Sequence, residues 1–141
     1  MSQEEWHVEV FPSDLEGLRF TSVSYHLELD SVCVSLSSGS LILIHSVTQA
    51  VEEVGCVERG IMALEWSPDG DVLAMITGMG NLLIMSQEWE ALAEVALSDE
   101  IQGIEDADAK ITWRGDGKFF STSFKTLSGP RYVFIFPGSL F

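Results

Sequence analysis

The stretch "LEWSPDGDVLAMITGMGNLLIM", Leu64 to Met85, sets two tight turns between three short apolar runs. In "WSPDGD", Pro68 fixes φ for the first corner of a type I turn, Asp69 suits the second corner and Gly70 the exit. Trp66 ends the run that feeds this turn, where a large flat ring can pack between neighbouring layers. A looser copy, "ITWRGDGKFF", follows at 111–120, and a shift of 47 lays Trp66–Gly70 on Trp113–Gly117. The copy keeps the Trp, the Asp (Asp116) and the closing Gly (Gly117), with Gly115 in place of Pro68. The same shift sets "DVLAMIT" (71–77) on "KFFSTSF" (118–124).

Moving upstream by forty residues, "SVCVSLSSGSLILI" (31–44) falls on "DVLAMITGMGNLLI" (71–84). Strand signals dominate elsewhere too, at "WHVEVF" (6–11), "IMALEW" (61–66) and "YVFIF" (132–136). The segment "SQEWEALAEVAL" (86–97) has helix-friendly composition, but its β neighbours favour a strand over "EALAEVAL". A period of about 40–45 residues with four short strands per unit is the pattern of a WD-type β-propeller blade. The expected fold is therefore all-β: a partial WD40-like propeller of about three blades, each a four-stranded antiparallel sheet. The units are expected at about 20–57, 58–97 and 109–137, with the polar stretch 98–110 as an acidic loop. Closed propellers use about four to eight blades, so three leave inter-blade faces open.

Composition narrows the function classes. Twenty-two acidic residues against seven basic ones give a net charge of −15, a sign that repels nucleic acid and anionic membranes. Cys33 and Cys56 have no histidine at zinc-ligand spacing and form no disulfide framework, which points to a reducing compartment. "MSQEEWHVEV" reads as neither a signal nor a transit peptide, and no apolar run approaches the roughly 18 residues of a membrane span.

The motifs that could carry chemistry reduce to turns. "GMG" (78–80) lacks the third glycine of a nucleotide fingerprint, because Leu83 stands at that place and no helix follows. Neither Asp69 with Asp71 nor Glu105, Asp106 and Asp108 has the alternating ligands, Gly and distant Glu of a calcium loop. Arg114-Gly115-Asp116 spells an adhesion tripeptide but falls where Ser67-Pro68-Asp69 makes a turn. His7, His26 and His45 show no metal spacing, and no serine sits in a nucleophile elbow. No catalytic, cofactor-binding or metal residue is expected. The residues singled out are the blade-turn set Trp66, Pro68, Asp69, Gly70, Trp113, Asp116 and Gly117, with Trp66→Ala and Trp113→Ala expected to cost about 3–5 kcal/mol each if buried.

"ITWRGDGKFFSTSF" (111–124), with 31–44 and 61–85, resembles the N-terminal propeller region of the largest subunit of the Elongator complex, over roughly 24–136. That resemblance implies a non-catalytic scaffold. It implies as partners a catalytic radical-SAM/acetyltransferase subunit and a WD-repeat subunit, in the modification of wobble uridines in tRNA. It also implies a cytoplasmic setting, with the nucleus as a second compartment. Members are far longer and carry a longer segment where this chain has 97–110, so the chain resembles a truncated or internally shortened form. The alternative from sequence is a WD-repeat adaptor with an unrelated client.

Overall fold

The structure, a computed structural model, describes residues 19–97, 104–126 and 130–139. Eleven strands in these residues form three antiparallel sheets. The first sheet is a meander of β1 (Phe20–His26), β2 (Ser31–Leu36), β3 (Ser40–His45) and β4 (Val51–Cys56). The second repeats it with β5 (Ile61–Trp66), β6 (Val72–Thr77), β7 (Asn81–Ser86) and β8 (Ala91–Ala96). The third holds β9 (Ile104–Trp113), β10 (Phe119–Thr126) and β11 (Arg131–Pro137). Among the described residues no helix is long and apolar enough to cross a membrane.

Two expectations change. The third sheet has three described strands where four were expected, with β11 at its edge. The acidic loop expected over 98–110 is strand from Ile104 onward, and 98–103 lie outside the described residues. The ladder to β10 runs on past Lys110 to Glu105↔Lys125 and Ile104↔Thr126. A polar composition describes side chains, and it leaves the backbone groups that pair unchanged. The strand expected over 6–11 also lies outside the described residues. The strand expected over "EALAEVAL" (90–97) forms as β8, Ala91–Ala96.

The repeat shift is also not uniform. β2 and β3 superpose on β6 and β7 at a shift of 41, whereas β4 superposes on β8 at 40. The β1–β2 link has four residues (27–30) and the β5–β6 link five (67–71); the β3–β4 link has five (46–50) and the β7–β8 link four (87–90). The first difference is one of strand ends only, because Tyr25 and Val32 pair at the same separation of seven residues as Trp66 and Leu73; the shift is 41 through β3, and a residue is lost only in the β7–β8 link. The difference matters because a one-residue slip turns every strand side chain to the opposite face. At a shift of 41, Ser31, Cys33 and Ser35 match Val72, Ala74 and Ile76, and each set faces the next sheet.

Alternation along the strands builds a separate core at each sheet-to-sheet contact. Cys33 and Leu41 from the first sheet meet Ile61, Leu64, Trp66, Leu73 and Met75 from the second. Val72, Ala74, Ile76, Leu82 and Ile84 on its other face meet Ile111, Phe120 and Phe124 of the third. β6, buried at every position, lies in the middle of this arc. Burial holds the Cys33 thiol protonated, its pKa pushed up to about 12.

The first strands of the three sheets lie side by side, β5 packing against β1 on one flank and β9 on the other. Their mutual contacts are polar. Thr21 Oγ1 donates to the Ile61 carbonyl at 2.8 Å, Ser24 Oγ donates to Glu65 Oε1 at 2.9 Å and accepts from the Trp66 N–H at 3.3 Å. Small hydroxyl residues let two unpaired strand edges approach and satisfy each other's backbone. Among the described residues the opposite flank of the third sheet meets no other sheet, and Phe119, Val133 and Ile135 stand exposed on it.

Candidate interaction surface

The blade-turn residues lie at one rim of the arc. In the β5–β6 link, the Gly70 N–H donates to the Ser67 carbonyl at 2.9 Å, and the Ser67 N–H to the Val72 carbonyl at 2.8 Å. The Asp71 N–H donates to Asp69 Oδ1 at 3.0 Å. The β9–β10 link reproduces all three bonds 47 residues on: Gly117 to Arg114 at 2.8 Å, Arg114 to Phe119 at 2.9 Å and Lys118 to Asp116 Oδ1 at 3.0 Å. The Arg-Gly-Asp letters are thus a turn, as are the glycines of "GMG", where the Gly80 N–H closes on the Thr77 carbonyl at 3.0 Å.

Each aspartate serves its turn as an ionised acceptor. Ser67 Oγ donates to Asp69 Oδ1 at 2.7 Å, and this bond, with the Asp71 N–H, lowers the Asp69 pKa. The Lys118 N–H and the Arg114 guanidinium, 2.7 Å away, lower that of Asp116.

Trp66 is 5% exposed and wedged between the first two sheets. His26 meets it edge-on at 4.5 Å and Trp89 at 5.6 Å. Its ring N–H is buried without a hydrogen-bond partner, so packing alone fixes the ring. Trp113 does the same work one contact on, less deeply: it is half-buried, tilts over Phe120 at 4.5 Å, and donates from Nε1 to the Glu65 carbonyl at 3.2 Å.

Two residues of this rim carry no signal in the sequence. His26 is buried, accepts the Leu29 N–H at Nδ1 (3.1 Å) and therefore donates from Nε2 to the Gly70 carbonyl (2.8 Å). It ties the first rim turn to the second. Tyr25 pairs with Val32 as Trp66 pairs with Leu73 and Trp113 with Phe120, which makes it the aromatic of the first sheet. The shift of 41 over these strands takes Tyr25 out of a forty-residue register, which hid the match. Its hydroxyl donates to Asp30 Oδ1 at 2.6 Å, a bond that raises its pKa.

Between the first two rim turns opens a cleft of about 440 Å³, walled by Tyr25, Leu27, Glu28, Glu65, Trp66 and Asp69 among others. Glu65 and Trp66 also border a second cleft of about 420 Å³ that reaches Trp113. No Lys or Arg lines either one. Among the described residues no group of His, Cys, Asp and Glu is placed to hold a metal ion. The clefts offer surfaces with shape and charge; away from them, Ser31 Oγ meets His45 Nδ1 at 3.1 Å, but this hydroxyl is fully buried and donates to the Leu29 carbonyl at 2.8 Å.

Comparison with known proteins agrees with this architecture. Residues 2–107 match the family described as the ELP1 first N-terminal beta-propeller. Elongator complex protein 1 of Arabidopsis thaliana is 37% identical over 127 residues, covering 82% of this chain and 10% of the relative. The Mus musculus protein of the same name is 29% identical over 133 residues, covering 69% and 10%. The chain therefore spans about a tenth of the length of these curated relatives. Among solved structures, Kuenenia stuttgartiensis hydrazine synthase superposes with a TM-score of 0.69 at 15% identity, over 84% of this chain and 34% of that one. Saccharomyces cerevisiae Sqt1 does so at 0.61 and 13%, over 86% and 33%. At such identities the likeness is one of fold alone.

Proposed function

We propose a scaffold role for this chain, which belongs to the ELP1 first N-terminal beta-propeller family. It is a propeller segment of Elongator subunit 1 type that works through protein–protein contacts. Through them it supports the other Elongator subunits, the radical-SAM/acetyltransferase subunit and the WD-repeat subunit, in modifying wobble uridines of tRNA. It performs no chemistry of its own and acts in the cytoplasm, with the nucleus as a second compartment. Its repeat units run over 20–57, 58–97 and from Ile104 to about 137.

The family match over 2–107 is the observation that carries this reading. The rim supports it, since its aromatic and carboxylate side chains hold turns rather than converge on a reacting atom. The net charge of −15 argues that any role with tRNA runs through other subunits, because a surface of that sign repels a phosphate backbone. The test is capture of the tagged 141-residue chain from a eukaryotic extract, followed by identification of the proteins that co-purify. Enrichment of the Elongator core subunits is expected. Their absence beside a folded bait overturns the assembly role, and one unrelated client in their place favours an adaptor.

A further inference from the structure

We propose that the cleft between the β1–β2 and β5–β6 links docks a basic peptide segment of a partner protein, with arginine or lysine flanked by apolar residues. This deepens the scaffold reading and rests on it, in taking the chain to work through protein contacts.

Two independent features select that occupant. The first is charge. Glu28, Glu65 and Asp69 line the cleft without a cation among its walls, so a guanidinium or ammonium entering it meets carboxylates only. Ser67 and the Asp71 N–H keep the Asp69 carboxylate ionised well below neutral pH. Ser24 donates to Glu65 Oε1 at 2.9 Å and restrains that side chain within the wall. The second feature is apolar exposure. Leu27 stands 80% exposed and Tyr25 50% exposed at the lip. The four-residue link closes through the Asp30 N–H to the Leu27 carbonyl, a backbone bond that asks for no leucine. An exposed leucine at a turn corner, where polar residues are usual, is an apolar contact without an internal partner.

A free small cation would satisfy the carboxylates and leave Leu27 and Tyr25 in water. Nucleic acid and anionic lipid carry the wrong sign. A peptide segment supplies both halves, its charged head against the carboxylates and its apolar neighbours over Leu27 and the Tyr25 ring, which the Asp30 bond holds in place. Tyrosine faces also attract cations directly.

The test uses the full 141-residue chain and a blocked, fluorescein-labelled octapeptide alternating leucine and arginine. Its leucine–glutamate counterpart serves as the control probe, and anisotropy is read at low and moderate salt. Saturable binding of the arginine peptide alone is expected. Glu28→Lys should weaken it about tenfold, the equivalent of roughly 1.4 kcal/mol. Leu27→Ser should weaken it several-fold, and Glu28→Gln about threefold should the lysine disturb the turn. Glu58→Lys, the same charge change in the β4–β5 link, should leave affinity within about twofold.

Near-ultraviolet circular dichroism checks that each variant keeps the Trp66 packing. Failure of the arginine peptide to saturate, equal binding of the glutamate peptide, or equal loss with Glu58→Lys would each overturn the proposal. So would a dimer that excludes the peptide and is abolished by Glu28→Lys, which would make a second copy the occupant. Because the probe is synthetic, its failure leaves capture of Elongator subunits untouched, and failed capture leaves the cleft measurement standing.

Discussion

At the scale of single residues, the two rim glycines separate two costs that are usually mixed. Gly70 and Gly117 both adopt left-handed backbone, φ +78° and +73°. A Cβ on Gly70 would lie 2.7 Å from His26 Nε2, whereas one on Gly117 meets nothing closer than Pro68 Cδ at 3.9 Å. Gly117→Ala should therefore cost only the left-handed penalty, about 1 kcal/mol, and Gly70→Ala roughly 2–3 kcal/mol as the His26 ring gives way. Equal midpoint shifts in urea would show that the His26 contact carries nothing. Trp66→Ala should cost about 3–5 kcal/mol by the same measurement, and Trp113→Ala less, because Trp113 is only half-buried.

Asp69 gives a pH prediction with a definite sign. Its pKa is lower in the folded chain than the ordinary carboxylate value, so the unfolded chain takes up the proton first as pH falls. Its contribution is complete above the unfolded pKa and disappears as pH drops through the lowered folded one. Asp69→Ala should therefore flatten the loss of stability between about pH 5 and pH 3, relative to the parent chain. Among the rim residues, the paired turns showed their roles in the sequence because Pro, Asp and Gly are chosen by backbone geometry. His26 did not, because its partner is a carbonyl 44 residues away that no local pattern announces.

At the scale of elements, strands were legible wherever one face is buried, since alternation is then imposed by the core. "SVCVSL" and "KFFSTSF" gave β2 and most of β10 in that way. Local pattern could not give the match between repeats residue by residue, which depends on link length and on no side chain. β9 was under-read for a related reason, because its first half pairs through backbone while its letters are those of a loop. A deletion experiment measures the difference. Removing Asp71 leaves the Trp66–Leu73 connection one residue shorter than the Tyr25–Val32 connection, and should cost about 1–2 kcal/mol through the lost Asp69 turn bond. Removing Ala74 from inside β6 reverses the faces of the residues beyond it and should abolish cooperative thermal unfolding. Similar melts for the two deletions would contradict the pairing of β6 with β5 and β7.

At the scale of the molecule, charge is divided unevenly. Lys110, Arg114, Lys118, Lys125 and Arg131 gather in the third sheet, where Asp116 is the one acid within 109–139. The net acidity hid this, since a sum over the chain carries no position. The outward flank of that sheet sets Lys110, Lys125 and Arg131 on the same face as exposed Val133 (61%) and Ile135 (73%). Ile135→Lys should leave the melting temperature within about 2 °C of the parent, since surface changes stay near ±0.5 kcal/mol. It should also reduce binding of an apolar dye; a large loss of stability instead would mean that Ile135 is packed. The uniform shift of 41 over the first three strands has a consequence of another kind. Segments 27–45 and 68–86 both run nineteen residues and hold correspondingly paired strands. A hairpin with its leading link can therefore be exchanged between the first two sheets as a cassette, the chain leaving each donor site in phase. Recombination between such units changes a surface without disturbing the strands downstream of it, which gives a repeating scaffold a route to new partners.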